Sequence, residues 1–264
     1  MSLEVRHLRY SYPKADEPII RDISFDVPDG LVTVVIGANG VGKSTLIKSV
    51  LGIFKAEGEV CFNGVNRRHI SHKELHRFVG YMTQENALLT SLSVLNVVLL
   101  GRLGSLNLCV QEEDIAKAVS ILRLLHLESL LERPFYALSG GQRRMVDVAQ
   151  TLVRDPGILI MDEPTANLDL VNELQVLELV RTYTRQKNVA TLLTLHDLNM
   201  AARYGDQLVL LRDGAVFRSG TPAEVITEEN IQKAYGVEVR VSLDENNVPM
   251  LHPIAPVKKT QYMF

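Results

Sequence analysis

The sequence is poor in cysteine, in uninterrupted apolar stretches and in net charge, and each shortage excludes something. Its 264 residues include two cysteines, Cys61 and Cys109. They lie too far apart to form a metal-ligand pair, and they fit a reducing compartment in which they serve as packing residues. The formal net charge is -3, so no broad basic field draws the chain to nucleic acid. The opening Met-Ser-Leu-Glu-Val-Arg-His-Leu-Arg-Tyr lacks the apolar stretch of a signal peptide. The longest apolar candidate, residues 88–108, is interrupted by Asn96, Arg102 and Asn107. It falls short of the ~20 uninterrupted apolar residues that a membrane-spanning helix needs. Any link to a membrane is therefore expected to run through a partner. There is no internal repeat and no low-complexity linker.

What is present is a chain 46% hydrophobic and 22% charged, long enough to bury a substantial core. Short apolar runs alternate with helical patterns. Residues 31–36, 158–161, 189–195 and 208–211 read as buried strands, as in a parallel sheet covered on both faces. Residues 59–62 and 78–82 are shorter and more mixed, and with the first 30 residues they are expected to form a smaller antiparallel sheet. Leu46, Ile47, Val50, Leu51 and Phe54 line one helical face, and Met145, Val148, Ala149, Leu152 and Val153 line another. Ile115, Val119, Leu122 and Leu125 mark a third helix, and Thr221-Pro222-Ala223-Glu224 is a capping box with proline at the first helical position. The expected organisation is one domain over 1–240 with a helical insertion at about 85–150, followed by a weakly patterned tail, 241–264.

Gly37-Ala38-Asn39-Gly40-Val41-Gly42-Lys43-Ser44 matches G-x-x-x-x-G-K-[ST] between an expected strand and an expected helix. Glycines let successive backbone N–H groups converge on one anion, and the helix N-terminus adds partial positive charge. Lys43 is placed to meet the β- and γ-phosphates, and Ser44 to hold Mg²⁺ through its hydroxyl. A chance match in a chain of this composition is on the order of 1%. The strand Ile158-Leu-Ile-Met ends in Asp162 and Glu163. At the edge of a parallel sheet these acids face a ligand crevice, Asp162 as a metal ligand and Glu163 as the group that polarises water. Alone, such a pair reads as the solvated start of a loop; beside a phosphate loop it reads as chemistry. Leu138-Ser139-Gly140-Gly141-Gln142 opens the second amphipathic helix, and small residues at a helix start make a second anion site.

These motifs, in this order, resemble the nucleotide-binding subunits of ABC transporters over about Leu3 to Val239. The resemblance implies an α/β fold: a P-loop NTPase core with a mostly parallel sheet, a small antiparallel β subdomain and an inserted helical subdomain. It implies Mg²⁺-dependent ATP hydrolysis by a head-to-tail homodimer, each ATP lying between the phosphate loop of one chain (Gly37 through Ser44 and on to Thr45) and Ser139–Gln142 of the other. It implies that Tyr12, with Tyr10 as a rival, stacks on adenine, and that Gln84 contacts Mg²⁺ or the attacking water. Asp169, in Ala166-Asn-Leu-Asp169, looks like the aspartate that links the two sites, and His196 like the histidine that contacts the γ-phosphate. Two departures stand out. Thr83 precedes Gln84 where the family usually has proline, and Met145 stands where it often has arginine.

The resemblance also implies partners: polytopic membrane permease subunits, an indirect substrate-binding protein, and a peripheral position on the cytoplasmic face of the cell membrane. Leu88, Leu92, Leu95, Val98 and Leu99 are candidates for an apolar docking face. The segments beginning at His196, Gly220 and Val98 are similar to those of importers of iron–siderophore, haem and cobalamin. Importers of zinc, manganese or molybdate, and a soluble iron–sulfur assembly partner, are the alternatives.

Overall fold

A strand of six consecutive buried residues, Val32–Gly37, leads into the phosphate-loop sequence, and the rest of the fold is arranged around such strands. The structure is a computed structural model, and it describes residues 1–83, 90–102 and 110–257. In chain order come β1 (Leu3–Tyr10), β2 (Ile20–Val27), β3 (Val32–Gly37), α1 (Lys43–Val50), β4 (Glu57–Phe62) and β5 (Val65–Asn66). Then follow α2 (His72–Phe78), β6 (Val79–Met82), α3 (Val94–Leu100), α4 (Glu112–Leu124), α5 (Gly140–Leu152) and β7 (Ile158–Asp162). The last third holds α6 (Leu170–Lys187), β8 (Ala190–Thr194), α7 (Leu198–Tyr204), β9 (Gln207–Arg212), β10 (Ala215–Gly220), α8 (Pro222–Val225), α9 (Glu228–Tyr235), β11 (Val237–Leu243) and β12 (Pro249–Pro256).

The chain divides into two compact units. The first comprises Met1–Leu3, Val27–Leu31 and Phe62–Leu193. In it β8, β7 and β6 lie side by side, and β6 runs parallel to β7 with Val79 opposite Ile158 and Met82 opposite Met161. This corrects the expected antiparallel assignment of residues 78–82. Val79, Gly80 and Met82 are buried, and burial of this kind belongs to the interior of a parallel sheet. Helices α3, α4 and α5 pack on one another in the same unit. On α4 and just after it, Leu122 and Leu125 are buried as expected, but at its first turn Ile115 is exposed and Asp114 is inside instead. Arg102 meets the Asp114 carboxylate at 2.6 Å, which makes burial of that acid tolerable. Of the five candidate docking residues, Val98 and Leu99 belong to the core and Leu92 is exposed. Leu95 is half-buried, and Leu88 lies outside the described residues.

The second unit comprises Glu4–Asp26, Val32–Cys61 and Thr194–Phe264. Its strands follow the order β4-β1-β2-β10-β9-β3. β3 is parallel to β9, with Gly37 opposite Leu211, and β9 is antiparallel to β10. The expected capping box at Thr221 is present, with Glu224 accepting from the Thr221 N–H at 2.8 Å and its hydroxyl at 2.9 Å.

Much of the region read as a weakly patterned tail, 241–264, belongs to a hairpin that begins at Val237. β11 and β12 pair antiparallel from Val237/Pro256 to Leu243/Pro249. The turn is closed by Asp244, whose carboxylate accepts from the N–H groups of Asn246 and Val248, both at 2.8 Å. The hairpin is tied to α7 through Asn199: its amide donates to the Leu251 carbonyl at 3.3 Å and its carbonyl accepts from the Leu251 N–H at 2.7 Å. With each bond contributing about 0.5–1.5 kcal/mol, Asn199→Ala is expected to cost about 1–3 kcal/mol locally. Hydrogen exchange reads this directly: the Leu251 amide should exchange at least about tenfold faster, and unchanged protection would refute the tie.

Candidate functional site

In the second unit, β3 delivers the chain into the phosphate loop at Gly37, whose φ is +153°. A Cβ there would lie 2.8 Å from the Leu211 carbonyl oxygen, so no larger residue fits without moving β9. Gly42, at φ +107°, caps α1 with no side-chain hydrogen bond. An N-terminus of this kind directs backbone N–H groups and the positive end of the helix dipole outward. Lys43 is only 6% exposed. Its ammonium folds back onto the loop, donating to the carbonyls of Gly37 at 2.8 Å and Ala38 at 3.4 Å. The cation is thus held in advance at the rim of the loop.

The aromatic candidates separate clearly. Tyr10 stacks face to face on Phe54, with centroids 4.9 Å apart. Tyr12 is exposed, meets both rings edge-on, and shares a 2.9 Å hydrogen bond between its hydroxyl and that of Thr45. The structure therefore brings Tyr12 to the residue after Ser44 and leaves its ring accessible. His196 is exposed and follows β8 by two residues. The next residue, Asp197, caps α7 by accepting from the N–H groups of Asn199 and Met200 at 2.7 and 3.0 Å. Tyr235, which the sequence did not single out, reaches the backbone of Gly37 from the end of α9; burial pushes its phenol pKa up and that hydrogen bond opposes the rise.

In the first unit, β7 ends at Asp162, 2% exposed, followed by Glu163, 6% exposed. Glu163 has φ +51°. A left-handed backbone at a non-glycine residue costs on the order of 1 kcal/mol or more and persists only where its surroundings impose it. Those surroundings include Arg144, on the helix that Ser139 opens. Its guanidinium donates to the carbonyls of Thr83 at 2.8 Å, Asp162 at 2.7 Å and Glu163 at 2.5 Å. Burial pulls the Arg144 pKa down, while Asp147, Asp162 and Glu163 pull it up. Arg144 was missed from the sequence because its partners are main-chain carbonyls. The only signal was an arginine beside the apolar face of α5. Met145, at the position where arginine is often found in the family, is buried.

The remaining candidates of this unit sit at helix starts. Ser139 and Gln142 cap each other: the Ser139 hydroxyl accepts from the Gln142 N–H at 3.2 Å, and the Gln142 side chain accepts from the Ser139 N–H at 3.0 Å. A Cβ on Gly140 would meet nothing within 4 Å, so the face of the helix start is open there. Asp169 caps α6, accepting from the Asn172 N–H at 2.9 Å. Gln84 lies outside the described residues. Among the described residues no helix is long and apolar enough to cross a membrane.

Comparison with known proteins gives a consistent result. The family described as ABC transporter matches residues 20–166. An uncharacterized ABC transporter ATP-binding protein of Methanocaldococcus jannaschii is 36% identical over 96% of this chain and 98% of its own length. The achromobactin transport ATP-binding protein of Dickeya dadantii is 36% identical over 90% of this chain and 89% of its own. The ferric enterobactin transport ATP-binding protein of Escherichia coli is 32% identical, covering 89% of each. Among solved structures, an inward-facing transporter designated metal-chelate type superposes with a TM-score of 0.79 at 27% identity, over 96% of this chain and 97% of that one. A dimeric bacterial ABC transporter cassette superposes at 0.75 and 25% identity, over 83% of this chain and 98% of that one.

Proposed function

We propose, because this chain belongs to the ABC transporter family and is like its ATP-binding proteins over nearly its whole length, that it hydrolyses ATP to drive import of an iron(III)–siderophore or a related metal chelate. Family membership implies ATP hydrolysis. The finer reading is a head-to-tail homodimer docked on polytopic membrane permease subunits at the cytoplasmic face of the membrane, which in turn receive cargo from a substrate-binding protein. The dimeric cassette above supports the pairing, and the relatives named for achromobactin and ferric enterobactin transport support the cargo class.

One observation carries the hydrolytic part: a buried glutamate, directly after the buried aspartate that ends β7, is held in a left-handed backbone conformation. In this reading Glu163 takes a proton from water as the water oxygen forms its bond to the γ-phosphorus. The bond to the bridging oxygen breaks, releasing ADP and inorganic phosphate. Gly37–Ser44 and Lys43 bind the phosphates, Tyr12 stacks on the base, Thr45 holds Tyr12 in place, and His196 contacts the γ-phosphate. Ser139–Gln142 engage the nucleotide of the partner subunit, and Asp169 links the two sites. Magnesium fits the donor set, since Ser44, Gln84 and Asp162 offer the oxygen ligands it takes. When bound, it would neutralise charge on the phosphate oxygens.

Purification of the tagged chain from membranes tests the partnership. A polytopic membrane protein should co-purify, with a binding protein that retains an iron chelate. Recovery of a soluble iron–sulfur assembly complex in its place would overturn the transport reading.

A further inference from the structure

Arg144 is 7% exposed, yet its planar fork spans three main-chain carbonyls from two separate segments. Two of these, on Asp162 and Glu163, end β7; the third, on Thr83, follows β6 and immediately precedes Gln84. The Glu163 carbonyl also accepts from the Ala166 N–H at 3.1 Å. The turn that sets the φ of +51° at Glu163 is therefore held from within by Ala166 and from outside by Arg144. A guanidinium carries five N–H donors in a fixed plane, and an ammonium on a flexible stem cannot reproduce that span.

We propose that Arg144 is a positioning residue for the hydrolytic step: it pins the backbone of Glu163, and with it the direction of the Glu163 carboxylate, to the helix that Ser139 opens. The inference rests on the hydrolytic role of Glu163 proposed above and adds the device that holds that residue in place. Its hydrogen bond to Glu163 is made to the main-chain carbonyl, so it holds the backbone from which the acid projects. Its position five residues after Ser139 on a continuous helix has a further consequence. A rotation of α5 at its Ser139 end carries the carbonyl clamp with it, so the acid of one site is mechanically joined to the element that serves the other.

The test compares wild type with Arg144→Lys, Arg144→Met, Glu163→Gln and the double variant Arg144→Lys/Glu163→Gln. A fluorescent ATP analogue reports affinity, phosphate release reports turnover, and thermal melting reports folding. Because a misplacement of about 1 Å costs roughly a hundredfold in rate, Arg144→Lys should lose roughly thirtyfold to a hundredfold in kcat. Its nucleotide affinity should stay within about twofold of wild type, since the phosphate loop is untouched. Arg144→Met should be at least as slow. In single-turnover measurements, adding Arg144→Lys to Glu163→Gln should change the residual rate by less than about threefold, because both changes remove the same contribution.

Three outcomes overturn the proposal: a kcat for Arg144→Lys within about threefold of wild type, losses that multiply in the double variant, or failure of both Arg144 variants to fold, which would make the residue purely structural. Normal steady-state turnover by Glu163→Gln would instead overturn the underlying assignment of the hydrolytic acid.

Discussion

Glu163→Gln should bind ATP as wild type does, accumulate as an ATP-bound dimer, and lose between about 10² and 10⁴ in kcat, the range expected for a missing general base. The substitution keeps the size of the side chain and leaves the backbone carbonyl in place, so the bond from Arg144 and the turn at Ala166 persist. What disappears is a carboxylate able to take a proton from water. Nucleotide affinity should survive because the phosphates are assigned to the loop that follows β3. A dimer that cannot hydrolyse its nucleotide has lost its route to dissociation. Sedimentation with ATP should therefore show a dimer peak that wild type lacks under turnover. Phosphate release at the wild-type rate would remove Glu163 from the mechanism.

Lys43→Ala should act on binding. The ammonium sits against the Gly37 and Ala38 carbonyls, so little reorganisation is needed to meet an incoming phosphate. Charge-assisted hydrogen bonds contribute about 1.5–3 kcal/mol, so affinity for ATP should fall roughly tenfold to a hundredfold or slightly more. Turnover should fall as well, since the same cation is proposed to face the charge that develops on the transferred phosphoryl group. Isothermal titration separates the two effects. An unchanged dissociation constant would mean that the loop is not the phosphate site.

These two residues were legible in the sequence because each belongs to a contiguous motif whose context is also local. A buried strand precedes Gly37 and a helix follows Lys43, and an apolar strand precedes Asp162. The motif order extended that reading to Ser139 and Asp169, which the structure places at helix N-caps. What could not be read depended on partners distant in the chain. The strand at residues 78–82 is too short for its period to reveal whether its neighbour runs parallel or antiparallel. The first turn of α4 was misjudged at Ile115 because Asp114 is buried against Arg102, and no pattern of hydrophobic residues reports an ion pair. Val98 and Leu99 looked like a docking surface because apolar residues on a helix do not say which neighbour covers them. Arg144 stayed hidden for a different reason: main-chain carbonyls have no letter in the sequence. The hairpin of β11 and β12 did leave a trace, in the alternation of Val237, Val239, Val241 and Leu243 before a turn rich in Asp and Asn. That trace was outweighed by the irregular, proline-containing strand that follows.

The most direct test of the central claim is phosphate release by the membrane complex that contains this chain, measured with its binding protein loaded with an iron(III)–siderophore and again with the same protein unloaded. Release should be faster with the loaded protein, and Glu163→Gln should abolish it in both cases. Equal rates with and without the chelate, or stimulation by zinc, manganese or molybdate in its place, would contradict the proposed function.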